Sequence, residues 1–370
     1  MATHPYENWL RQLTAVPTAA GCEGRVVAWV EQWARRRASV VLRRDRFGNV
    51  ALRRRGAGSR KPIIFAAHMD HPAFVVTQVV SSRQVTAEFR GGVRDGYFVG
   101  AAVRLHHAAR PTACGLVQDV AAASRRRPDR RVTVRFGRQV VAAVGDVLTW
   151  DTGAVRVKRD RLYAPACDDL AGVAAALAGF DALGRKRQRK SADVRVLLTR
   201  AEEVGFVGAI AACGSGIIPR ASRIITLESS KSFDDSPIGG GPIVRVGDRT
   251  STFDPDLTYR ISRIAQRLAA ADPSFRWQRK LMPGGTCEAS AYQSFGYAAA
   301  CLCLPLGNYH NMNEDAGGER IVAEMISLSD YRGLVRLLVA VGQMLDDPDK
   351  APALRARLNQ LFATRQSLLS

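Results

Sequence analysis

The chain lacks any long apolar segment. Among its 370 residues, no apolar run approaches the roughly 18 residues that a membrane-spanning helix requires. Residues 1–8 also lack the basic stretch followed by an apolar core that is typical of a secretory leader. We therefore expect a cytoplasmic protein with no membrane as a partner.

Paired cysteines are also missing. The 7 cysteines are an odd number, and none of them has Cys-x-x-Cys spacing. This pattern argues against a Cys-rich zinc site and against a fold held together by disulfides. Cys301 and Cys303 flank Leu302 in an apolar run, so we expect reduced, packed thiols there.

Lysine is scarce, although the formal net charge is +20. Only 7 of the 54 basic residues are lysines, and the arginines are dispersed with a few short clusters. Codon bias in a GC-rich genome would produce this imbalance, and a run of charges usually forms a solvated surface. We therefore do not expect nucleic acid as a partner. A positive field should instead attract acidic substrates and slow cationic ones.

The chain does contain apolar strands and amphipathic helices in a globular composition, with 46% hydrophobic and 24% charged residues. Its length suggests about two domains. Residues 7–37 predict two helices joined by a turn, and two short strands should surround a turn at 45–49. Residues 62–67 are apolar throughout, as in a strand that is buried on both faces.

The pattern changes between residues 74 and 161. Short β-like runs are separated there by Gly, Pro and Arg, and no long amphipathic helix is evident. This predicts a small β-barrel-like domain, 74–161, inserted into a main domain formed by 1–73 and 162–370. The expected β-like runs are 75–80, 85–89, 115–120, 132–136 and 155–158.

Helices and strands alternate after the insertion, which predicts an α/β sandwich around a mainly parallel sheet. In such folds, functional sites form at the C-terminal ends of the strands. We expect helices at 170–180, 204–213, 256–271, 286–295, 321–345 and 354–369, and strands at 194–199, 223–227 and 298–304.

Two adjacent glutamates, Glu202 and Glu203, follow the expected strand at 194–199. Carboxylates are rarely buried unless they are paired or bind a metal. Adjacent side chains do not share a direction, so one carboxylate would bind a metal while the other handles a proton. The alternative is a solvated helix start, where acidic residues are favoured.

Five potential metal ligands occupy equivalent positions, at or just after strand ends. They are His68, Asp168, Glu203, Glu228 and His310. Two imidazoles with several carboxylates suit Zn²⁺ or a similar divalent ion. One catalytic zinc needs three protein ligands, whereas five ligands with one shared carboxylate form two three-ligand sites. Asp168 is the natural bridge because it opens a helix, and Asp70 could orient the imidazole of His68.

Short motifs along almost the whole chain strengthen this interpretation. They are Leu13-Thr14 with Gly21-Cys22-Glu23, Asp45-Arg46-Phe47-Gly48-Asn49, His68-Met69-Asp70, Cys167-Asp168-Asp169 with Gly172, Glu202-Glu203-Val204-Gly205, Gly284-Gly285-Thr286, and Asn308-Tyr309-His310. Their order and spacing, with a β insertion between the first His and the bridging Asp, resemble the tetrahedral (TET) glutamyl-type aminopeptidases. The resemblance implies a phosphorylase/hydrolase-like three-layer α/β sandwich.

The resemblance also implies two divalent metal ions per subunit, with Zn²⁺ expected and Co²⁺ or Mn²⁺ also suited to the ligands. One metal would be held by His68, Asp168 and Glu228. The other metal would be held by Asp168, Glu203 and His310.

Catalytic roles follow from the same resemblance. Glu202 would be the general base for the water between the metals, and Asp70 would assist catalysis through the imidazole that it orients. Gly284, Gly285 and Thr286 would contact the substrate.

The function implied is a dinuclear metal-dependent aminopeptidase acting on short peptides, in homo-oligomers from dimers to dodecamers that use the β insertion for contacts and substrate access. Three departures from the family, Glu228 for the usual Asp, Leu170 for the usual Arg and Cys287 for an Asp, leave open a related amidohydrolase or deacylase. A non-catalytic assembly protein is a third interpretation, against which Glu202 argues. His71 either lines the cleft or is a solvated surface residue.

Overall fold

The computed structural model describes residues 5–58, 61–108, 110, 112–121, 129–185, 192–313, 318–347 and 354–369. Across these ranges, none of the helices combines the length and the apolar character that crossing a bilayer would need.

The strands and helices are numbered in chain order. The strands are β1 (Val40–Arg44), β2 (Val50–Arg54), β3 (Ile63–His68), β4 (Ala73–Ser81), β5 (Gln84–Arg90), β6 (Ala102–His106), β7 (Ala113–Ala121), β8 (Arg130–Phe136), β9 (Val147–Trp150), β10 (Arg156–Lys158), β11 (Arg161–Ala164), β12 (Val194–Thr199), β13 (Arg223–Lys231), β14 (Ile243–Gly247), β15 (Gln278–Leu281), β16 (Ala298–Leu306) and β17 (Glu324–Ser327). The α-helices are α1 (Pro5–Leu13), α2 (Gly24–Arg35), α3 (Leu170–Arg185), α4 (Val207–Ser215), α5 (Pro255–Ala271), α6 (Glu288–Ser294), α7 (Leu328–Met344) and α8 (Leu354–Arg365). Short 3-10 helices cover Asp95–Tyr97, Tyr309–Asn311 and Gln366–Leu369.

An eight-stranded sheet forms the centre of the main body, in the order β1-β2-β12-β3-β13-β16-β14-β15. Its four middle strands are parallel, because β3 pairs in parallel with both β12 and β13, and β13 does so with β16. Strands β2 and β14 are antiparallel to their inner neighbours. Every residue of β3 is buried, as its continuous apolar sequence predicts.

Helices cover both faces of this sheet, which gives the predicted three-layer α/β arrangement. Alternate residues of β3 point to opposite faces. Phe65 belongs to the core cluster that includes residues of α1, α2, α3, α5 and α7, whereas Ile64 belongs to the cluster that includes residues of α4 and α6. The Ala-rich helix α3 is buried along most of its length, because small side chains let it approach the sheet and α7 closely.

Six strands close into a barrel, in the order β4-β5-β8-β7-β6-β9, with β9 pairing back onto β4. Aromatic side chains fill it. The ring of Phe74 lies 4.8 Å from that of Phe89 and 4.6 Å from that of Trp150, both in edge-to-face contact. The predicted fold class, including a β-barrel-like insertion, is therefore confirmed. The limits of the inserted domain at 74 and 161 stay a prediction; β10 pairs with β11, outside the barrel.

The helix expected at 321–345 was wrong in its first part. Residues 324–327 form β17, which pairs with β11, and only then does α7 begin. The Ser327 hydroxyl accepts the N–H of Asp330 and so caps the start of α7. Strand β13 also runs beyond its expected end at 227, so that Glu228 lies inside a strand rather than after it.

Candidate metal centre and active site

The C-terminal ends of the central parallel strands carry the candidate site. His68 ends β3, Glu228 lies in β13, and Glu202 with Glu203 follow β12. His310 follows β16 in a 3-10 turn, and it has a left-handed φ of 55°, which non-glycine residues seldom adopt. Such strained conformations persist where the surrounding structure holds them, commonly at functional sites.

Asp168 lies between the two imidazoles. Its Oδ1 atom is 3.5 Å from Nε2 of His68, and its Oδ2 atom is 3.7 Å from Nε2 of His310. Each oxygen of one carboxylate therefore faces a different imidazole. This is the arrangement expected of a carboxylate shared between two adjacent metal ions.

The other predicted ligands complete two clusters. His68, Glu202 and Glu228 form one group, and Asp168, Glu203 and His310 form the other, each with ligand atoms within 4.8 Å of one another. The second group is the predicted set. The first differs from the predicted set, because it contains Glu202 in place of Asp168. One carboxylate oxygen of Glu202 and one of Glu228 each lie 3.9 Å from Nε2 of His68.

Both imidazoles are fixed through their Nδ1 atoms. Nδ1 of His68 is 3.1 Å from the backbone oxygen of Asp70, and Nδ1 of His310 is 2.6 Å from that of Gly92. A carbonyl oxygen at Nδ1 favours a proton on that nitrogen, so Nε2 is the nitrogen that faces the centre and could bind a metal. Burial also lowers the pKa of His310 to about 4, so this imidazole is neutral, as a metal ligand must be.

Asp70 mainly positions the glutamate pair. Its Oδ1 accepts the backbone N–H of Glu202 and its Oδ2 that of Glu203, both at 3.0 Å. Its carboxylate is farther from His68, with Oδ1 at 3.6 Å from Nδ1. The imidazole is therefore oriented more closely by the Asp70 carbonyl than by the predicted carboxylate contact.

Three carboxylate oxygens in the centre are buried without a hydrogen-bond partner: Oδ1 of Asp168, Oε1 of Glu203 and Oε1 of Glu228. Burial is also the main cause that raises the pKa of Glu202, Glu203 and Glu228 well above the usual range. Unpaired buried carboxylates are costly unless a cation compensates them. The residues present therefore fit divalent metal ions, which supply both the charge and the missing partners.

A buried glutamate that sequence reasoning missed supports two of the ligands. Glu324 accepts the backbone N–H of Cys167 at 2.6 Å and of Asp168 at 3.0 Å through Oε2, and that of His310 at 2.9 Å through Oε1. It was hidden in the expected helix 321–345, and no local pattern in the sequence distinguishes it from a solvated helical glutamate.

His71 is buried, so the interpretation as a solvated surface residue is wrong. Its Nδ1 lies 2.5 Å from the backbone oxygen of Asp168, and its Nε2 lies 2.9 Å from Oδ1 of Asn311. The Asn311 amide in turn donates to the backbone oxygen of Pro165. His71 therefore supports the backbone of the bridging aspartate from behind.

A cavity of about 160 Å³ opens in front of the metal ligands. Gly284, Gly285 and Thr286 are among the residues that line it, and their contacts with a substrate stay a prediction. Lys231 and Arg245 also line the cavity. Further lining residues are Ser229, Ser230, Phe233, Met282 and Tyr309.

Two of the departures from the family pattern lie away from this cavity. Leu170, the first residue of α3, is fully buried in the hydrophobic core. Cys287 is also buried, and its backbone N–H donates to Oδ2 of Asp248. Neither side chain is among the residues that line the cavity.

Comparison with solved structures supports the fold. The chain is similar to a TET aminopeptidase from a Thaumarchaeota archaeon of marine sediment, with a TM-score of 0.77 and 18% identity over 93% of this chain and 98% of that one. It is similar to the Pyrococcus horikoshii TET1 peptidase, which can assemble into a tetrahedron or a large octahedral shell, with a TM-score of 0.75 and 19% identity over 92% and 99%. Aminopeptidase APDkam598 from Desulfurococcus kamchatkensis has a TM-score of 0.74 and 20% identity over 95% and 99%.

A search of curated proteins finds no match. In contrast, the family model described as M42 glutamyl aminopeptidase matches residues 48–328, which is well over half of the chain. The match spans the barrel, β3, β12, β13 and β16, and therefore both candidate metal clusters. The chain thus belongs to the M42 glutamyl aminopeptidase family, and the predicted hydrolase of the aminopeptidase type is confirmed.

Proposed function

We propose that this protein removes N-terminal residues from short peptides by a two-metal mechanism. The observation that carries the proposal is the position of Asp168, whose two oxygens face the imidazoles of His68 and His310 at 3.5 and 3.7 Å. A single carboxylate so placed suits two adjacent metals better than one.

In this proposal, one ion is held by His68, Asp168 and Glu228, and the other by Asp168, Glu203 and His310. Zn²⁺ is the proposed metal, since imidazole and carboxylate ligands suit it, and Co²⁺ or Mn²⁺ would fit the same set. Bound there, the two ions would supply Lewis-acid polarisation of the scissile carbonyl and lower the pKa of a water.

Glu202 is the proposed general base. Its backbone N–H is fixed by Asp70, and its carboxylate belongs to the first cluster, 3.9 Å from Nε2 of His68. A carboxylate oxygen of Glu202 would accept the proton of the attacking water and then donate it to the leaving amine nitrogen. Burial raises the pKa of Glu202, which favours holding that proton between the two transfers.

The cavity wall supports a preference for acidic or neutral N-terminal side chains. The guanidinium of Arg245 is almost completely buried, and it donates over 3.3–3.4 Å to Ser230 Oγ and to the backbone oxygens of Gly247 and Gly285. Its nearest carboxylate is Oδ2 of Asp248, at 3.8 Å.

The Asp248 carboxylate already accepts four hydrogen bonds. Oδ1 of Asp248 accepts two backbone N–H groups, and Oδ2 accepts the Cys287 N–H and the Ser290 hydroxyl. Arg245 places a positive charge at the cavity wall, which would attract an anionic substrate side chain.

Assembly and location remain proposals as well. Exposed apolar side chains on the barrel strands and loops, including Val80, Leu116 and Val144, would suit contacts between subunits of a homo-oligomer, from a dimer to a dodecamer. The TET1 peptidase of Pyrococcus horikoshii assembles into large shells, which agrees with this proposal. We propose a cytoplasmic location.

The test is hydrolysis of amino-acid anilides by the full chain after chelation and stepwise return of Zn²⁺. We expect activity to return with the second equivalent of metal, and Glu-anilide to be cleaved with a higher kcat/KM than Lys-anilide at low salt. The N-acetylated anilides serve as the matched control. Release of acetate from these, without release of the aniline from the free-amine substrates, would favour a deacylase. Equal rates for Glu- and Lys-anilides would remove the charge preference.

A further inference from the structure

A second cavity, of about 370 Å³, lies where the barrel meets the main body. Its wall combines residues of β6 and β9 with the segment that follows α1 and the residues that follow β11. The volume is in the range of sites that bind small molecules, and it is more than twice that of the cavity at the metal ligands. Of the described residues, none lines both cavities, so the second cavity is a separate site.

The second cavity adjoins the residues that support the metal ligands. His71 and Asn311 line it, whereas Asp168 and His310 line the first cavity. The ring of His71 lies 6.5 Å from that of His310 in edge-to-face contact, and its Nδ1 lies 2.5 Å from the backbone oxygen of Asp168. A molecule in the second cavity would therefore contact side chains that hold two of the metal ligands from behind.

Much of the wall of the second cavity is apolar. Val16, Pro17, Pro72, Val155 and Pro165 are among the lining residues. Because proline restricts its own backbone, three prolines make this part of the wall rigid before any ligand arrives. Preformed apolar walls with a few polar groups are typical of small-molecule sites. This part of the cavity suits an aliphatic side chain.

Two opposite charges lie side by side in the same wall. Nη2 of Arg104 donates to both carboxylate oxygens of Asp151, at 2.8 and 2.9 Å. The two side chains are 37% and 17% exposed, so neither is sealed in the interior. Among the described residues that line the cavity, no other Asp, Glu, Lys or Arg occurs. Burial lowers the pKa of His106, which also lines the cavity, to about 4, so its imidazole is neutral near pH 7.

We propose that the second cavity binds a free α-amino acid with an apolar side chain. A simple anion would be attracted by Arg104 and repelled by Asp151, and the reverse holds for a simple cation. A zwitterion can pair with both charges. In an α-amino acid, one carbon carries both the ammonium and the carboxylate, which matches two neighbouring partners better than the distant termini of a peptide do.

Such an amino acid is also the class of product that the proposed hydrolysis releases. Only this link between ligand and product rests on the proposed function. Binding in the second cavity depends on the charge pair and the apolar wall, and it requires neither metal ions nor catalysis.

Equilibrium dialysis of labelled leucine against the full chain tests the proposal, with the chain loaded with Zn²⁺ and again after chelation. Leucine could also bind the metal ions as a product, so the metal-free chain reports on the second cavity alone. We expect one leucine per metal-free chain. Leucinamide lacks the carboxylate and 4-methylpentanoate lacks the ammonium, so each should compete at least about tenfold more weakly than leucine.

Two variants test the location of the bound leucine. Arg104→Gln removes the positive charge and should weaken leucine binding at least about tenfold. Ala154→Trp introduces a large ring at an exposed position of the cavity wall, and it should weaken binding without disturbing the core, even if Arg104→Gln folds poorly. Arg135→Gln is the matched control, because Arg135 is an exposed arginine on β8 that does not line the cavity, and it should bind like wild type.

Absence of leucine binding to the metal-free chain would overturn the proposal, and binding only in the presence of Zn²⁺ would place leucine at the metal centre instead. Unchanged binding in both cavity variants would also overturn it. So would equal competition by leucine, leucinamide and 4-methylpentanoate, because the charge pair would then play no part. Anilide hydrolysis is measured separately, so a chain that binds leucine but cleaves no anilide would refute the proposed function and support this site.

Discussion

Replacing Glu324 by Gln should weaken both metal sites without touching a ligand. The carboxylate of Glu324 accepts three backbone N–H groups, two from Cys167 and Asp168 and one from His310. These hydrogen bonds hold the bridging carboxylate and one imidazole in place at the same time. In a glutamine, one of the two oxygens becomes an NH₂ group, so a donor would face a backbone donor.

The expected decrease in stability follows from the hydrogen bond that is lost. One hydrogen bond to a charged group is worth about 1.5–3 kcal/mol, and the orphaned N–H stays buried. We therefore expect Glu324→Gln to lower the free energy of unfolding by about 2–3 kcal/mol. Removal of such supporting contacts typically costs about 10–100-fold in metal affinity. Because Asp168 is shared, both Zn²⁺ affinities should fall.

Competition with a chromophoric chelator would measure the two Zn²⁺ affinities, and urea unfolding of the metal-free protein would measure stability. Glu31→Gln is the matched control, because Glu31 pairs with Arg44 on the surface and such pairs contribute about 0–1 kcal/mol. Unchanged Zn²⁺ affinities in Glu324→Gln, with a normal fold, would refute the argument that this residue positions the ligands.

Three further predictions concern stability. Burial, with help from Arg25 and Arg104, lowers the pKa of His106 to about 4. The unfolded chain therefore takes up a proton between about pH 6.5 and pH 4 that the folded chain does not, so the free energy of unfolding should fall over that range. His106→Gln should reduce this loss, as measured by urea titrations at pH 7 and pH 4.5. Phe74→Ala should destabilise the protein by about 3–5 kcal/mol, because Phe74 is fully buried against Phe89 and Trp150, and a change below 1 kcal/mol in chemical unfolding would contradict the packing described. Asp254→Ala should cost about 1 kcal/mol in the same assay by removing the side-chain cap on the Leu257 N–H at the start of α5, whereas Asp254→Asn, which can still cap, should cost less.

Much of the fold was accessible from the sequence because its strands are strongly apolar. Residues 63–68 form a completely buried strand, and such runs end abruptly in polar residues at the site. Parallel strands bring those ends together, so the sequence predicts that His68 and the Glu202–Glu203 pair are neighbours.

The missed features have different physical causes. Strand β15 is Gln-Arg-Lys-Leu and carries no apolar signal, because it lies at the edge of the sheet. Strand β17 was assigned to a helix, since its identity depends on pairing with β11, far away in sequence. Glu324 was missed for the same reason: its three N–H donors come from residues 14 to 157 positions away.

The roles of the residues that support the metal ligands could not be predicted from spacing along the chain. Asp70 was expected to orient an imidazole from its spacing after His68, yet its carboxylate also accepts the N–H groups of Glu202 and Glu203 in the loop after β12. Spacing along one strand reveals which side chains share a face. It does not reveal which backbone groups of a neighbouring loop they meet.

The most direct test of the two-metal proposal is the metal content of purified Glu202→Gln beside wild type, with anilide hydrolysis on the same samples. We predict two metal ions per chain in both proteins, and a loss of about 10²–10⁴-fold in kcat for the variant, as expected when a general base is removed. Loss of one ion from Glu202→Gln would instead make Glu202 a ligand, as its 3.9 Å distance from Nε2 of His68 would permit. Fewer than two ions in reconstituted wild type would contradict the shared role of Asp168.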